Sequence, residues 1–146
     1  MYDLSKLGER LKEIVAENQT SVKEICEKTG LSTSQFYRWQ NNTAVPSLEH
    51  LIILADHLKF SIDFVIGSEE ENSLTHFYEP VSLSERLPIL VAQKKVKPYN
   101  VYTKLEISSS TFYNWWNGKY VPLLDNILKL AHYFDCSVDY LIGREI

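Results

Sequence analysis

Shifted by 76 residues against itself, the sequence aligns without a gap: Arg10 falls on Arg86, Phe36-Tyr37 on Phe112-Tyr113, Trp39 on Trp115, Pro46 on Pro122 and Gly67 on Gly143. From Leu7 to Gly67, 22 of the 61 aligned positions are identical, and others exchange within a class, as Leu31 with Ile107 and Ile62 with Val138. The 146 residues therefore hold one unit used twice, each copy of about 65 residues and near the lower limit of independent folding. Each must close a compact core of its own, and any function must account for a pair of like modules. The boundaries expected are 1–67 for the first domain, 68–81 for a linker and 82–146 for the second domain.

Charge is divided unevenly along the chain. Residues 1–67 carry 7 basic and 9 acidic side chains (−2), residues 68–79 carry 0 and 4 (−4), and residues 80–146 carry 8 and 6 (+2), which sum to the net −4. The acidity sits largely in the linker around Glu69-Glu70-Glu71 and need not face a polyanion, yet neither repeat is strongly basic, which weakens the electrostatic case for nucleic acid. The longest apolar runs, Leu51 to Ala55 and Ile89 to Ala92, are far shorter than a bilayer span, and Met1-Tyr2-Asp3 lacks a basic start followed by an apolar stretch, so a cytoplasmic protein without a membrane partner is expected. Cys26 and Cys136 fall at non-equivalent places in the repeats, which argues against a shared disulfide or metal framework. His50, His57, His76 and His132 form no ligand motif, so no metal or other cofactor is expected.

Helical periodicity organises each repeat. Leu7, Leu11, Ile14 and Val15 mark a first helix ending near Asn18, and Leu83, Leu87, Leu90 and Val91 mark its counterpart. Pro88 is tolerable there only near a helix start, which favours Ser84 over Ser82 as the N-cap, or else a kink. Ser21 can cap a second helix through Lys28, Gly30 can end it in a left-handed conformation, and Ser32 can cap a third helix through Trp39. Two short helices broken by about four residues with a glycine are the helix-turn-helix pattern. In the second repeat Pro98 suits the first helical position, but Glu106 stands where the first has Gly30. Loops at 41–46 and 117–122 end in Pro. Ser47 can cap a fourth helix, and Ser61 and Ser137 a short fifth, with Asp63 and Asp139 in its first turn and Gly67 and Gly143 at its end. The fold class is thus all-α, five helices per repeat. Phe36, Trp39, Phe112 and Trp115, three apart on the third helices, belong to the core. The 14-residue linker could reach about 46–50 Å if extended, beyond the ~34–36 Å between half-sites one turn apart on DNA.

In Leu7-Gly8-Glu9-Arg10-Leu11, Ser21 to Gly30, Leu31 to Trp39, Pro46-Ser47-Leu48 and Ser61 to Gly67, the sequence resembles the Cro and phage-repressor-like helix-turn-helix family, also called the xenobiotic-response-element type. The resemblance covers nearly all of both repeats and implies two tandem lambda-repressor-like domains in a transcriptional regulator that binds double-stranded DNA without catalysis. The third helix of such proteins enters the major groove, which points to Thr33, Ser34, Tyr37 and Arg38, and to Ser109, Ser110, Tyr113 and Asn114. Arg38 suits guanine and Asn114 adenine, so an asymmetric site follows. Phosphates would be met at helix entrances and loops by Ser21, Lys23, Asn42 and Thr43, and more richly by Lys94, Lys95, Lys97, Tyr99, Lys119 and Tyr120.

The chain departs from the family where a Gln usually opens the second helix, here Val22 and Pro98, and where a Glu often follows the third helix, here Gln40 and Trp116. Arg10 could hydrogen-bond Gln40 and Arg86 could stack on Trp116, or Trp116 could be an exposed anchor. These departures leave a rival open: a duplicated module that has lost DNA binding and holds a protein partner or a second copy.

Overall fold

Helices of eight residues are too short to persist alone in water, so their existence here depends on caps and on packing. The computed structural model describes residues 2–72 and 76–145, and every regular element among them is helical. The chain divides into two compact units after His76. The first holds a 3₁₀ turn, Leu4–Lys6, then α1 (Leu7–Glu17), α2 (Val22–Thr29), α3 (Thr33–Gln40), α4 (Leu48–Leu58) and α5 (Ile62–Val65). The second repeats the order with α6 (Leu83–Lys94), α7 (Pro98–Lys104), α8 (Ser109–Trp116), α9 (Leu124–Tyr133) and α10 (Val138–Leu141).

Caps fall largely where the sequence places them. The hydroxyls of Ser21, Ser32, Ser47 and Ser61 accept from the amides of Glu24, Gln35, His50 and Phe64, and those of Ser108 and Ser137 from Thr111 and Tyr140. Each satisfies one of the donors a helix start leaves orphaned. The exception is α6, which begins at Leu83 with Ser82 in the N-cap place and carries Pro88 inside; the later start after Ser84 does not occur. Pro88 cannot bond the carbonyl four residues back. The longer helix is held instead by Arg86 in its first turn, which donates to the carbonyls of Tyr140 at 2.8 Å and Leu141 at 3.2 Å, and by the buried Leu87 and Leu90.

Backbone handedness repeats as faithfully as the helices. Left-handed residues come in equivalent pairs: Gln19 with Lys95, Gly30 with Glu106, Asn42 with Gly118, Lys59 with Asp135, and Gly67 with Gly143. The turn between α7 and α8 forms without glycine because Glu106 takes φ 56° itself, at a conformational cost of roughly 1–2 kcal/mol.

Each unit closes its own core. In the first, Leu11, Ile25, Phe36, Leu51, Leu54 and Ile62 are sealed from solvent; in the second, Leu87, Val101, Phe112, Ile127, Leu130 and Leu141 are. Cys26 lies in the first core, where burial pushes its thiol above the usual range. Asp139 is fully buried and pairs with the equally buried Arg144, whose guanidinium also lies 4.6 Å from the Phe77 ring. In the first unit Ser68 stands where Arg144 stands in the second, and its hydroxyl donates to Asp63 at 2.8 Å. A burial this complete needs such partners.

Both ends of the 68–81 segment are tied to their own unit. The carbonyl of Glu69 accepts from Arg10 at 2.8 Å and Asn72 accepts from the Ser61 amide at 2.9 Å, while Tyr78 and Val81 donate to the carbonyls of Arg144 and Ile142 at 3.0 and 2.8 Å. The full reach of a freely extended 14-residue strap is therefore not available; residues 73–75 lie outside those described.

Glu106→Gly is expected to stabilise the second unit by about 0.5–1 kcal/mol, and Gly30→Ala to destabilise the first by about 1 kcal/mol. A Cβ at Gly30 would meet nothing within 4 Å, so the second figure isolates backbone strain; amide hydrogen exchange resolved by unit measures both.

Candidate nucleic-acid interface

The third helix of each unit has one buried edge and one free face. Phe36 and Trp39 of α3 are 0% and 2% exposed, and Phe112 and Trp115 of α8 are 0% and 4% exposed. Rotating about α3 from that edge brings Thr33, Ser34, Tyr37 and Arg38 to solvent, all four exposed. On α8 the same positions place Ser109, Ser110 and Tyr113 in solvent and leave Asn114 half-buried. A helix packed on α1 and α2, or on α6 and α7, thus presents the residues expected to meet base edges along a single face.

The loop after each third helix is tied back to that face. The carbonyl of Arg38 accepts from the amides of Thr43 and Ala44 at 2.9 and 3.3 Å, and the carbonyl of Asn114 from Lys119 and Tyr120 at 2.8 and 3.3 Å. The residues proposed to read bases and those proposed to meet phosphate are therefore joined through one backbone atom. Thr43 adds a hydroxyl bond to the same carbonyl at 3.2 Å. Lys119 lies with its Nζ 5.6 Å from the centre of the Tyr120 ring, and both are exposed.

Asn42 has a different duty from the one its loop position suggests. Its amide oxygen accepts from the Gly8 backbone at 3.1 Å and its nitrogen donates to the Ser5 carbonyl at 3.2 Å, bracing the loop against the start of α1. A Cβ at Gly8 would stand 2.3 Å from the Gln40 carbonyl oxygen, so only glycine permits this approach. The second unit reverses the assignment: the side chain is on Ser84, and Gly118 supplies the open position, with its would-be Cβ 3.3 Å from the Ser84 hydroxyl.

The entrances to the second helices differ in charge. At α2, Ser21 is occupied by its cap and Lys23 is exposed, but Glu24 stands in the first turn with Thr20 donating to its carboxylate at 2.9 Å. At α7 that position is Asn100, which accepts from the Lys97 amide at 2.9 Å. Lys94, Lys95, Lys97 and Tyr99 are all exposed there. From Lys94 to Tyr120 there are five lysines and one carboxylate, Glu106, net +4; from Asn18 to Ala44 there are three basic and two acidic residues, net +1.

The helix-one arginines turn away from the third helix. Arg10 donates to the carbonyls of Phe64 and Glu69, stands 3.7 Å from the Glu70 carboxylate and lies 4.5 Å from the Phe64 ring. Arg86 donates to α10 carbonyls and lies 5.0 Å from the Tyr140 ring. Neither expected partner, Gln40 or Trp116, is used; the guanidiniums instead satisfy carbonyls of the short fifth helix, which lack intrahelical donors. Trp116 is half-buried, 5.9 Å from the Phe112 ring and 6.4 Å from Tyr113. It is not a free-standing anchor. Tyr102, which the sequence pattern does not single out, joins the surface by bridging Tyr99 and Tyr113; its three-residue spacing from Tyr99 on α7 is the only signal that could have found it.

Among the described residues no three His, Cys, Asp or Glu side chains gather as metal ligands, and no helix is long and apolar enough to cross a membrane. Two short helices about a tight turn, the second with a free face, and this arrangement built twice define a tandem helix-turn-helix protein. The chain belongs to the Cro/C1-type helix-turn-helix DNA-binding domain family, whose model matches residues 10–63 and again residues 86–145. No curated protein and no solved structure matches it.

Asn42→Ala is expected to cost the first unit about 2 kcal/mol, since it strands the part-buried Gly8 amide without its acceptor. Hydrogen exchange of α1 amides measures it; protection unchanged from wild type would refute the bracing role.

Proposed function

We propose that the protein is a sequence-specific transcriptional regulator that occupies an operator through major-groove contacts from α3 and α8, without catalysis. The observation that carries this reading is the free face of the third helix, set opposite a buried Phe–Trp edge and joined through one carbonyl to a loop, in both units. Residues 1–67 and 82–146 are the two reading domains and 68–81 the acidic segment between them. Thr33, Ser34, Tyr37 and Arg38 read one half-site; Ser109, Ser110, Tyr113 and Asn114 read the other. A guanidinium can bond guanine O6 and N7 together, and a carboxamide the adenine N6 and N7, so the two half-sites differ.

Phosphate contacts fall mainly to the second unit, through Lys95, Lys97, Tyr99, Lys119 and Tyr120, with Ser21, Lys23 and Thr43 as a weaker set in the first. The Glu24 carboxylate beside Ser21 opposes an anion at that entrance; Asn42 acts by holding the loop. The working compartment is the cytoplasm, and a homodimer or protein partner is compatible with the fold. The rival, a module that binds protein instead of DNA, is favoured by the exposed Tyr99, Tyr113 and Tyr120, at 62%, 40% and 59%.

Selection from a randomised duplex pool at low and near-physiological salt is expected to enrich a bipartite, asymmetric site, with Arg38→Ala relaxing one guanine position by about 1–3 kcal/mol. Enrichment of nothing would favour the rival. Replacing Lys95, Lys97 and Lys119 together by Glu is expected to weaken binding to every duplex and reduce the salt slope by about one for each phosphate that is no longer neutralised; a titration with unchanged slope would remove these residues from the interface.

A further inference from the structure

The second unit carries a feature that duplex reading does not require. Tyr99 and Tyr102 of α7 and Tyr113 and Trp116 of α8 form a continuous run of rings, with centroid distances of 5.6, 6.2 and 6.4 Å and interplanar angles of 78°, 62° and 68°. In the first unit the equivalent residues are Lys23, Cys26, Tyr37 and Gln40. One ring has become four at matched places on an otherwise repeated backbone. Tyr99 and Tyr113 are exposed, at 62% and 40%, while Tyr102 and Trp116 are half-buried beneath and beside them.

Edge-to-face contacts hold the rings without consuming them. Tyr102, Tyr113 and Trp116 also pack on the buried Phe112 ring, so the surface left for a ligand is that of Tyr99 and Tyr113, which stay exposed. Burying these rings against the core would use their apolar area, yet the core side of α8 is already filled by Phe112 and Trp115. Lysines flank the run at both ends: Lys94, Lys95 and Lys97 precede Tyr99, and Lys119 follows Trp116 with its Nζ near the exposed Tyr120 ring. The +4 balance over this stretch contrasts with +1 over its counterpart.

We infer that this aromatic run is a binding site for unpaired nucleotides, the rings stacking on bases and the lysines pairing with the phosphates between them. Base–aromatic stacking between lysines is the general chemistry of single-strand binding, and it tolerates any base because each has a π-face. The ring planes stand 62–78° to one another, so bases laid on them are turned apart and not stacked on each other, as an unpaired strand allows and a duplex does not. Tyr99 and Tyr113 also belong to the proposed duplex contacts, but stacking on an unpaired base does not require them to read a duplex: a protein that recognises no duplex sequence can still hold a single strand here.

The test is fluorescence anisotropy of the full chain with oligothymidylate of about 15 nucleotides and with an abasic oligonucleotide of the same length and charge. Oligothymidylate is expected to bind at least about tenfold tighter than the abasic strand. Replacing Tyr99 and Tyr113 together by Ser is expected to bring oligothymidylate binding down to that of the abasic strand measured with the same variant, while Y99F keeps the advantage. Equal binding of the two oligonucleotides by wild-type protein, or no binding of either, would overturn the proposal without any variant having to fold, and would leave the rings to a protein surface. An advantage that survives loss of both tyrosines would also overturn it.

Discussion

Everything the candidate surface can do depends on two aromatic side chains three residues apart on a helix too short to stand alone. An eight-residue helix in water is mostly unfolded; α3 is ordered because Phe36 and Trp39 are driven out of solvent against α1 and α2, and α8 because Phe112 and Trp115 are driven out against α6 and α7. Burying one edge of a helix fixes what the other edge shows. Thr33, Ser34, Tyr37 and Arg38 face outward because their neighbours face inward. The loop that follows inherits this orientation, being hydrogen-bonded to the carbonyl of Arg38 or Asn114.

The two units show how far a backbone can be kept while its chemistry drifts. Left-handed turns recur at matched places even where glycine has been replaced, as at Glu106, because the turn is demanded by the packing of the helices it joins. The arginine of the first helix keeps its post on the fifth helix in both units. Around that constant frame the surface differs: Glu24 aligns with Asn100, Lys23 with Tyr99 and the half-buried Gln40 with Trp116, while the buried Cys26 aligns with the half-buried Tyr102. Exposed positions change freely since few are tied to folding, and new functions accumulate there.

Much of the fold was legible because its signals are local. A serine before an apolar-periodic run caps a helix through an amide only two or three residues away, and a glycine ends one through its own φ; neither needs knowledge of the rest of the chain. The failures concern partners distant in sequence. The true acceptors of Arg10 include the Phe64 carbonyl, 54 residues on, and no spacing rule identifies an orphan carbonyl at a helix end. Pro88 pointed to a late helix start by a local rule that the anchoring of Arg86 outweighs. The bonds of Asn42 to Gly8 and Ser5, 34 and 37 residues away, are likewise beyond any local rule.

The sequence by itself determined the duplication, the five-helix period of each copy, the inward Phe–Trp edge and hence the set of residues on the outward face, since periodicity and capping are encoded within a few residues. Tertiary structure alone decided the contacts between residues far apart in sequence. It made Asn42 a brace, tied both ends of the acidic segment to the units, and turned the arginines to carbonyls. It also gathered Tyr99, Tyr102, Tyr113 and Trp116 from two helices into one run. Those outcomes depend on which groups meet across the fold, and a hydrogen bond or ring contact is set by distance in space, which sequence separation does not report.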